Sequence, residues 1–402
     1  MKCPICTSTE DEIILTLDCG NPDGSTLYPT VKLAICSKCG HAYNVLSQAE
    51  LDGLIKYYNA EYAPANVNAI GIEGDRPGSA DAKTIGRYSR LFEILSPFLH
   101  EQSEILDVGC AMGGFLHFLR QKGYINLSGV EMTETYVEQA KRTGLFRVER
   151  GEAEALPFKD KMFDVIIMEQ VMEHLLNPAQ SFREARRVLR QGGIFFVGVP
   201  DASRYSDFEY FDFYWVLLRE HIHHFDAAHL EMLGFQNGFE LLEYQQASHA
   251  VMSEKMIMPD VYSVFRASNS IDMNKHSIPC NQSLKQKLQG YVDKEAAARS
   301  KKKKRILELA KSGRPIYIWG IGREFLYLYE SVGLKACNIA GLIDRNPLKQ
   351  KTFSINNMRL NGENILVDAK SDSTLVITAV AHAESINTSA RTIGFMGEIF
   401  DL

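Results

Sequence analysis

The chain has no apolar run approaching the roughly 18–20 residues that a helix needs to cross a bilayer, so a membrane partner is not expected. It also lacks a secretory opening. Met1-Lys2-Cys3-Pro4-Ile5-Cys6 carries no basic region followed by an apolar stretch, which points to the cytoplasm. Eight cysteines in 402 residues are too few for a disulfide scaffold. Positive charge is not in excess: 44 Lys and Arg against 50 Asp and Glu leave a net charge of −6. That balance repels polyphosphate at long range and argues against bulk nucleic-acid binding, while leaving a local basic patch open. Short-period repeats and low-complexity tracts are absent. What remains is an ordinary globular composition, 45% hydrophobic and 23% charged, in a chain long enough for two or three domains.

Four of the cysteines stand in two tight pairs, Cys3-x-x-Cys6 and Cys36-x-x-Cys39-Gly40. Each pair can place two thiolates on one tetrahedral zinc ion, and four sulfur ligands close the site. A closed site supports folding rather than catalysis, so a structural Zn²⁺ is expected, with unmetallated core cysteines as the alternative. Cys19, Cys110, Cys280 and Cys337 are isolated and read as small apolar residues.

Periodicity divides the chain into four parts. Residues 1–75 hold the cysteine pairs, a helical stretch (Leu51 to Tyr62) and a Gly/Pro/Ala/Asn-rich linker. Residues 76–250 alternate buried-strand runs with helical spacing, the strands including Ile105-Leu106, Leu127 to Val130, Val165 to Met168 and Phe195 to Val199. Such alternation predicts an α/β domain with a largely parallel sheet. Residues 251–311 form an irregular connector and a long helix, roughly Leu284 to Ala310. In 312–402 the strand–helix pattern restarts with Ile316 to Trp319, Ile339 to Ile343 and Leu375 to Ala379, a second α/β domain.

The stretch from Glu104 to Leu116 reads as a strand ending near Asp107, a small-residue turn (Gly109, Ala111, Gly113) and the start of a helix. Small residues let backbone approach a ligand closely at the carboxyl end of a strand. Dinucleotide enzymes use similar turns, but a pyrophosphate site would avoid a carboxylate beside the anion. Asp107 suits instead a ligand with an ammonium group, and Glu131, closing the next strand, can accept two ribose hydroxyls. Gly151-Glu152-Ala153-Glu154-Ala155-Leu156-Pro157-Phe158 then precedes Phe163-Asp164-Val165-Ile166-Ile167-Met168, and Glu173-His174 follows.

This run resembles the class I S-adenosylmethionine (SAM)-dependent methyltransferases, with Ala111 in place of the middle glycine. The resemblance implies a Rossmann-like fold and SAM as cofactor. It also implies that Glu152 and Ala153 flank the adenine and that Glu169 sits beside the methionine end. Glu154 reads as surface, Asp164 as a strand-start residue and His174 as a helix-start structural residue.

SAM carries its own activation, so the protein must align an acceptor and, where needed, take a proton from it. Tyr205 to Trp215 is unusually aromatic and includes Tyr214. It could wall the acceptor pocket or simply pack into the core. Next comes Arg219-Glu220-His221-Ile222-His223-His224-Phe225. Imidazole is a base near neutral pH, and His221 is the expected base, with Glu220 orienting it or sharing the role and His224 nearby. Metal binding by His221, His223 and His224 is the weaker alternative, since none are spaced i, i+4.

This segment also resembles the sugar C-methyltransferases of deoxysugar biosynthesis, in which a zinc-binding domain, a SAM core and a C-terminal Rossmann-like domain occur in this order. Their Glu-His pair before a Phe handles the acceptor, matching Glu220, His221 and Phe225. The resemblance implies a nucleotide-linked ketosugar as partner. The C-terminal domain fits through Gly341-Leu-Ile-Asp-Arg-Asn-Pro-Leu-Lys-Gln350, and Arg323 beside its glycine turn could meet a phosphate. An independent NAD site there is the weaker reading.

There are departures. The turn reads Gly320-Ile-Gly-Arg-Glu rather than Gly-Ala-x-x-Lys-Gly, and Ser248-His-Ala-Val-Met-Ser253 stands where Gly-Gly-Ser-x-Arg is common. Tyr58 and Tyr62 are only loose counterparts of an acceptor-binding tyrosine. Both carbon and oxygen therefore stay open as the methylated atom. A zinc-containing RNA methyltransferase and a non-enzymatic SAM-binding or zinc-dependent assembly protein remain as rivals. Lys301 to Lys304 wraps around its helix and reads as solvated surface.

Overall fold

The computed structural model describes residues 2–19, 25–61, 82–142, 146–210, 214–251, 253–268 and 282–401. Tyr62 and Cys280 fall outside them. Three sheets organise the described chain. The first begins with the antiparallel strands β1 (Asp11–Asp18), β2 (Thr30–Cys36) and β3 (Ala42–Asn44). Alternation in β2 turns Val31, Leu33 and Ile35 inward, against Leu17, Leu27 and Leu54. Leu54 comes from helix Gln48–Lys56, which Ser47 and Glu50 start with a reciprocal capping box.

The second sheet has seven strands. β4 (Ile105–Val108), β5 (Leu127–Glu131), β6 (Arg147–Arg150), β7 (Phe163–Glu169) and β8 (Leu189–Pro200) run parallel. A two-residue strand, β9 (His223–His224), leaves this region and pairs antiparallel with β3, completing the first sheet. The long hairpin β10 (Phe239–Val251) and β11 (Ser253–Ala267) then returns, with β11 antiparallel to β8. The resulting order is β10-β11-β8-β7-β4-β5-β6. The sheet therefore continues past residue 250, where the periodicity placed the end of the central domain. Part of the expected connector is a core strand, with Val261, Val264 and Phe265 fully buried.

In the third sheet β12 (Ile316–Trp319), β13 (Ile339–Ile343), β15 (Met358–Asn361), β16 (Thr374–Ile377) and β17 (Glu398–Asp401) run parallel. β14 (Ser354–Ile355) hairpins onto β15, giving the order β14-β15-β13-β12-β16-β17. Helix Gln282–Ser312 links the layers. Its Leu284, Leu288 and Tyr291 join the cluster under the first sheet, while Ile306 and Leu309 join the core of the third. Of the lysine run on this helix, Lys301, Lys303 and Lys304 are exposed and Lys302 pairs with Glu324.

A buried ion pair at the start of one helix anchors that helix to the cysteine loop between β2 and β3. Asp226 caps helix Ala227–Gln236 and lies 2.6 Å from Nδ1 of His229, whose Nε2 is 3.1 Å from the Cys39 carbonyl. A carbonyl only accepts and the carboxylate takes the other N–H, so the buried ring is a cation. Burial pulls the His229 pKa down, but Asp226 outweighs it and the net shift is upward. Asp226 is correspondingly lowered despite its own burial. Asp226→Asn leaves the imidazolium without its counter-charge, and we expect a loss of about 3–5 kcal/mol in chemical denaturation. Because His229 is raised, its share of the pair's stability is complete below about pH 6.5 and fades as pH rises through the folded value. The gap between wild type and variant should therefore narrow from pH 6 to pH 9. A constant gap would refute the charge assignment.

Candidate active site

β5 lies on one side of β4 and β7 on the other, so the carboxyl end of β4 is a topological switch point, where open α/β sheets leave a crevice. There the chain turns through Gly109 (φ 78°), Ala111 (φ 45°) and Gly113 (φ 81°) into helix Gly114–Gln121. A Cβ on Gly109 would lie 2.4 Å from Cγ2 of Val171, so both conformation and space require glycine. Glu131 holds the turn in place. Its carboxylate accepts the Ala111 N–H at 3.1 Å and the Thr133 N–H at 2.8 Å.

The crevice opens into a cavity of about 630 Å³. Asp107, Gly109, Ala111, Glu131, Glu152, Ala153 and Glu169 all line it. Gly113 shapes the turn without facing the cavity. Burial, followed by the neighbouring Glu169 and Glu131 charges, raises the Asp107 carboxyl to about 7, with Arg87 opposing. Burial also raises Glu131, against the backbone N–H of Thr133 and Ala111. Glu169 is raised by burial and held back by Arg87, 3.2 Å away. Three crowded carboxylates with one guanidinium make this end of the cavity a receptor for a cation.

The lining also collects Tyr57, Tyr58, His174, Glu220 and His221, which contact one another, and His249, which acts on Glu169. The Tyr57 hydroxyl donates to Glu220 at 3.2 Å. His174 and His221 pack edge to face with centroids 4.8 Å apart. Burial holds His221 well below the usual imidazole range, with His174 and His224 adding to the shift. It is therefore neutral at physiological pH, with a lone pair available.

Several expected residues lie elsewhere. His224 is fully buried in β9, its Nδ1 3.5 Å from the Tyr205 hydroxyl, and does not line the cavity. Tyr205, Tyr210 and Tyr214 of the aromatic run pack into the core, all ringing Tyr291 of the long helix, while residues 211–213 lie outside the described residues. Tyr214 lies under the Arg299 guanidinium, and its carbonyl accepts from Arg323 at 3.1 Å. Tyr214 and Arg323 thus meet each other outside the cavity lining. The four paired cysteines do converge, with Cys3 Sγ 3.6 Å from Cys39 Sγ and Cys6 Sγ 3.4 Å from Cys36 Sγ. Tetrahedral zinc–thiolate bonds of about 2.3 Å place sulfurs about 3.8 Å apart, so the set fits zinc.

Sequence reasoning missed Arg87 and His249 and read His174 as purely structural. His249 is held at Nδ1 by the fully buried Asp260 carboxylate, 2.6 Å away, which also accepts from Gln170 at 3.2 Å. The one signal for it was position, since it stands where the resembling family carries Gly-Gly-Ser-x-Arg.

Residues 80–244 match a family model described as a methyltransferase domain. A probable S-adenosylmethionine-dependent methyltransferase of Mycolicibacterium smegmatis is 31% identical over 35% of this chain and 55% of its own length. A ubiquinone/menaquinone biosynthesis C-methyltransferase of Roseobacter denitrificans is 30% identical over 28% of this chain and 49% of its own. The chain thus spans about half the length of these curated relatives. Among solved structures, a SAM-dependent methyltransferase from Methanosarcina mazei aligns with 20% identity and a TM-score of 0.37, covering 44% of this chain and 97% of that one. The central part of this chain is a class I, SAM-dependent methyltransferase domain.

Proposed function

We propose that the chain methylates a small-molecule acceptor with SAM, at carbon or oxygen, and that the acceptor is a nucleotide-linked sugar or a related glycan precursor. The observation that carries methyl transfer is the single cavity that joins the carboxylate-lined turn to a wall of neutral imidazole and carboxylate. When bound, SAM supplies a methyl group on a sulfonium whose departure leaves a neutral thioether. Asp107 would face its ammonium, Glu131 its ribose, and Glu152 and Ala153 its adenine.

At the far end Glu220 and His221 form the proton-taking pair. Burial keeps His221 unprotonated, and the Tyr57 hydroxyl orients the Glu220 carboxylate. The nucleotide-sugar reading is supported by the order of parts: four converging thiols, the methyltransferase domain, then a third sheet read as Rossmann-like. A structural zinc on Cys3, Cys6, Cys36 and Cys39 and a cytoplasmic setting belong to the same reading. Among the described residues no helix is long and apolar enough to cross a membrane.

The test is incubation with SAM and a panel of nucleotide sugars, read by mass as the gain of one methyl group. With an accepted sugar, His221→Asn should slow transfer about 10²–10⁴-fold while leaving S-adenosylhomocysteine affinity unchanged. An unchanged rate would remove His221 from its role. A salt-sensitive gel shift with RNA, together with an inert sugar panel, would favour the RNA rival instead.

A further inference from the structure

The acceptor end of the cavity holds a second constellation, of which the methyl-transfer reading uses only His221. Glu173 is the middle residue of the short turn Met172–His174 after β7 and is 1% exposed, yet neither of its carboxylate oxygens has a hydrogen-bond partner from another described residue. Among the described residues the side-chain nitrogens nearest it, on His174 and His221, present lone pairs, and only its own backbone N–H and the more distant Arg87 offset its charge. Nδ1 of His174 lies 2.9 Å from both the Glu220 carbonyl and the Tyr58 hydroxyl; the carbonyl can only accept, so the tautomer that satisfies both carries its proton on Nδ1, with the hydroxyl accepting too, and leaves Nε2 bare. Nε2 faces Glu173 at 3.7 Å, too far for a hydrogen bond. Nδ1 of His221 is also unpartnered among the described residues. One ligand atom from each of the three residues falls within 4.8 Å of the others.

Three convergent electron pairs with no side-chain donor between them among the described residues repel one another, and burial of a carboxylate without a side-chain partner is costly. A cation removes both problems. We propose that Glu173, His174 and His221 bind a divalent transition-metal ion, distinct from any ion on the cysteines, at the acceptor end of the cavity. Two imidazoles and one carboxylate suit Zn²⁺, Fe²⁺, Co²⁺ or Mn²⁺ rather than the all-oxygen cations. Bonds of about 2.1 Å bring cis ligands to about 3.0–3.5 Å apart, so the three side chains need only draw in slightly. The His174–Glu220 hydrogen bond is the outer contact that metal-bound imidazoles commonly make, fixing both tautomer and ring plane. Burial raises the Glu173 carboxyl and lowers both imidazoles, so the two rings are held neutral, the form in which imidazole binds a metal ion.

His174 and His221 line the cavity and Glu173 sits behind them, so the open positions of the ion face the acceptor. The use of the ion rests on the methyl-transfer reading, although the site does not. An acceptor oxygen on the ion makes its own O–H, or the C–H beside a carbonyl, more acidic. Division of labour in the pair then changes: His221 holds the ion and Glu220 takes the proton. The balance is one proton left on Glu220 for one methyl gained by the acceptor, the sulfonium departing as a thioether.

The experiment uses the full chain with its cysteine site loaded with zinc, titrated with Co²⁺ and with Mn²⁺. Calorimetry should show one further ion per chain, and the Co²⁺ form should give visible bands without thiolate charge transfer. Glu173→Gln, which removes an unsatisfied buried charge and so should fold, should weaken that ion at least about 100-fold. No further ion in wild type, or undiminished uptake by Glu173→Gln, overturns the proposal. S-adenosylhomocysteine titrated into the same samples reports on the methyl-transfer reading separately, since binding there without metal uptake sinks only the metal site.

Discussion

Asp107→Asn should weaken S-adenosylhomocysteine binding by about 10–150-fold, the equivalent of one lost charge-assisted contact of about 1.5–3 kcal/mol. The wild-type pH profile carries the stronger signature. Crowding and burial raise the free Asp107 carboxyl to about 7, and an ammonium ligand needs it ionised. Affinity should therefore be flat above about pH 8 and fall by up to tenfold per unit below 7. Near neutrality, binding should release a proton, visible as a dependence of the calorimetric enthalpy on buffer. The variant should lose both effects.

Stability moves the other way. A carboxyl raised on folding destabilises the native state increasingly from about pH 4 up to its folded value, where the penalty levels off. At pH 8 the Asn variant should thus melt higher, by about 2–4 °C for each kcal/mol recovered. A variant that binds normally, or that melts lower at pH 8, would refute this account of the turn.

The second large effect concerns the thiols. Wild-type protein should hold one zinc tightly on its thiols, and Cys36→Ser should lose that thiolate-bound ion. Ligation of this kind contributes about 10–16 kcal/mol in isolated zinc modules. The four cysteines share one buried cluster with Tyr43, Phe225, Leu230 and the strand residues Leu106 and Val108, so the damage reaches the central core. Glu220 and His221 immediately precede β9, which is hydrogen-bonded to β3. Chelation should therefore abolish methyl transfer while S-adenosylhomocysteine affinity falls only several-fold. A metal-free protein whose melting is unaffected by Cys36→Ser would instead make these ordinary core cysteines.

Local chemistry was readable from the residues, and long-range geometry was not. The turn from Asp107 follows its strand and Glu131 ends the next, as the sequence pattern expects, and Glu152, Ala153 and Glu169, implied only by the family resemblance, line the same cavity as Asp107 and Glu131. Strands β12 and β13 match their expected bounds as short, fully apolar runs between turn residues. By contrast, β10 alternates weakly and β11 contains Pro259, so the hairpin read as irregular until its pairing with β8 was seen. Arg87 meets Glu169 only through the fold, and nothing in a Glu-His dipeptide says that the imidazole will turn into a cavity. The aromatic run left two readings open, and for Tyr205, Tyr210 and Tyr214 it is Tyr291, far along the chain, that draws them into the core.

The two-residue strand β9 also affects synthesis. His223 follows His41 by 182 residues. At about 5–20 residues per second, a ribosome leaves the edge of β3 bare for roughly 10–35 s. An uncovered edge is a template for pairing with other chains. A fragment that stops before residue 223 keeps that edge permanently, so an isolated N-terminal piece should aggregate or dimerise through β3 even when fully loaded with zinc.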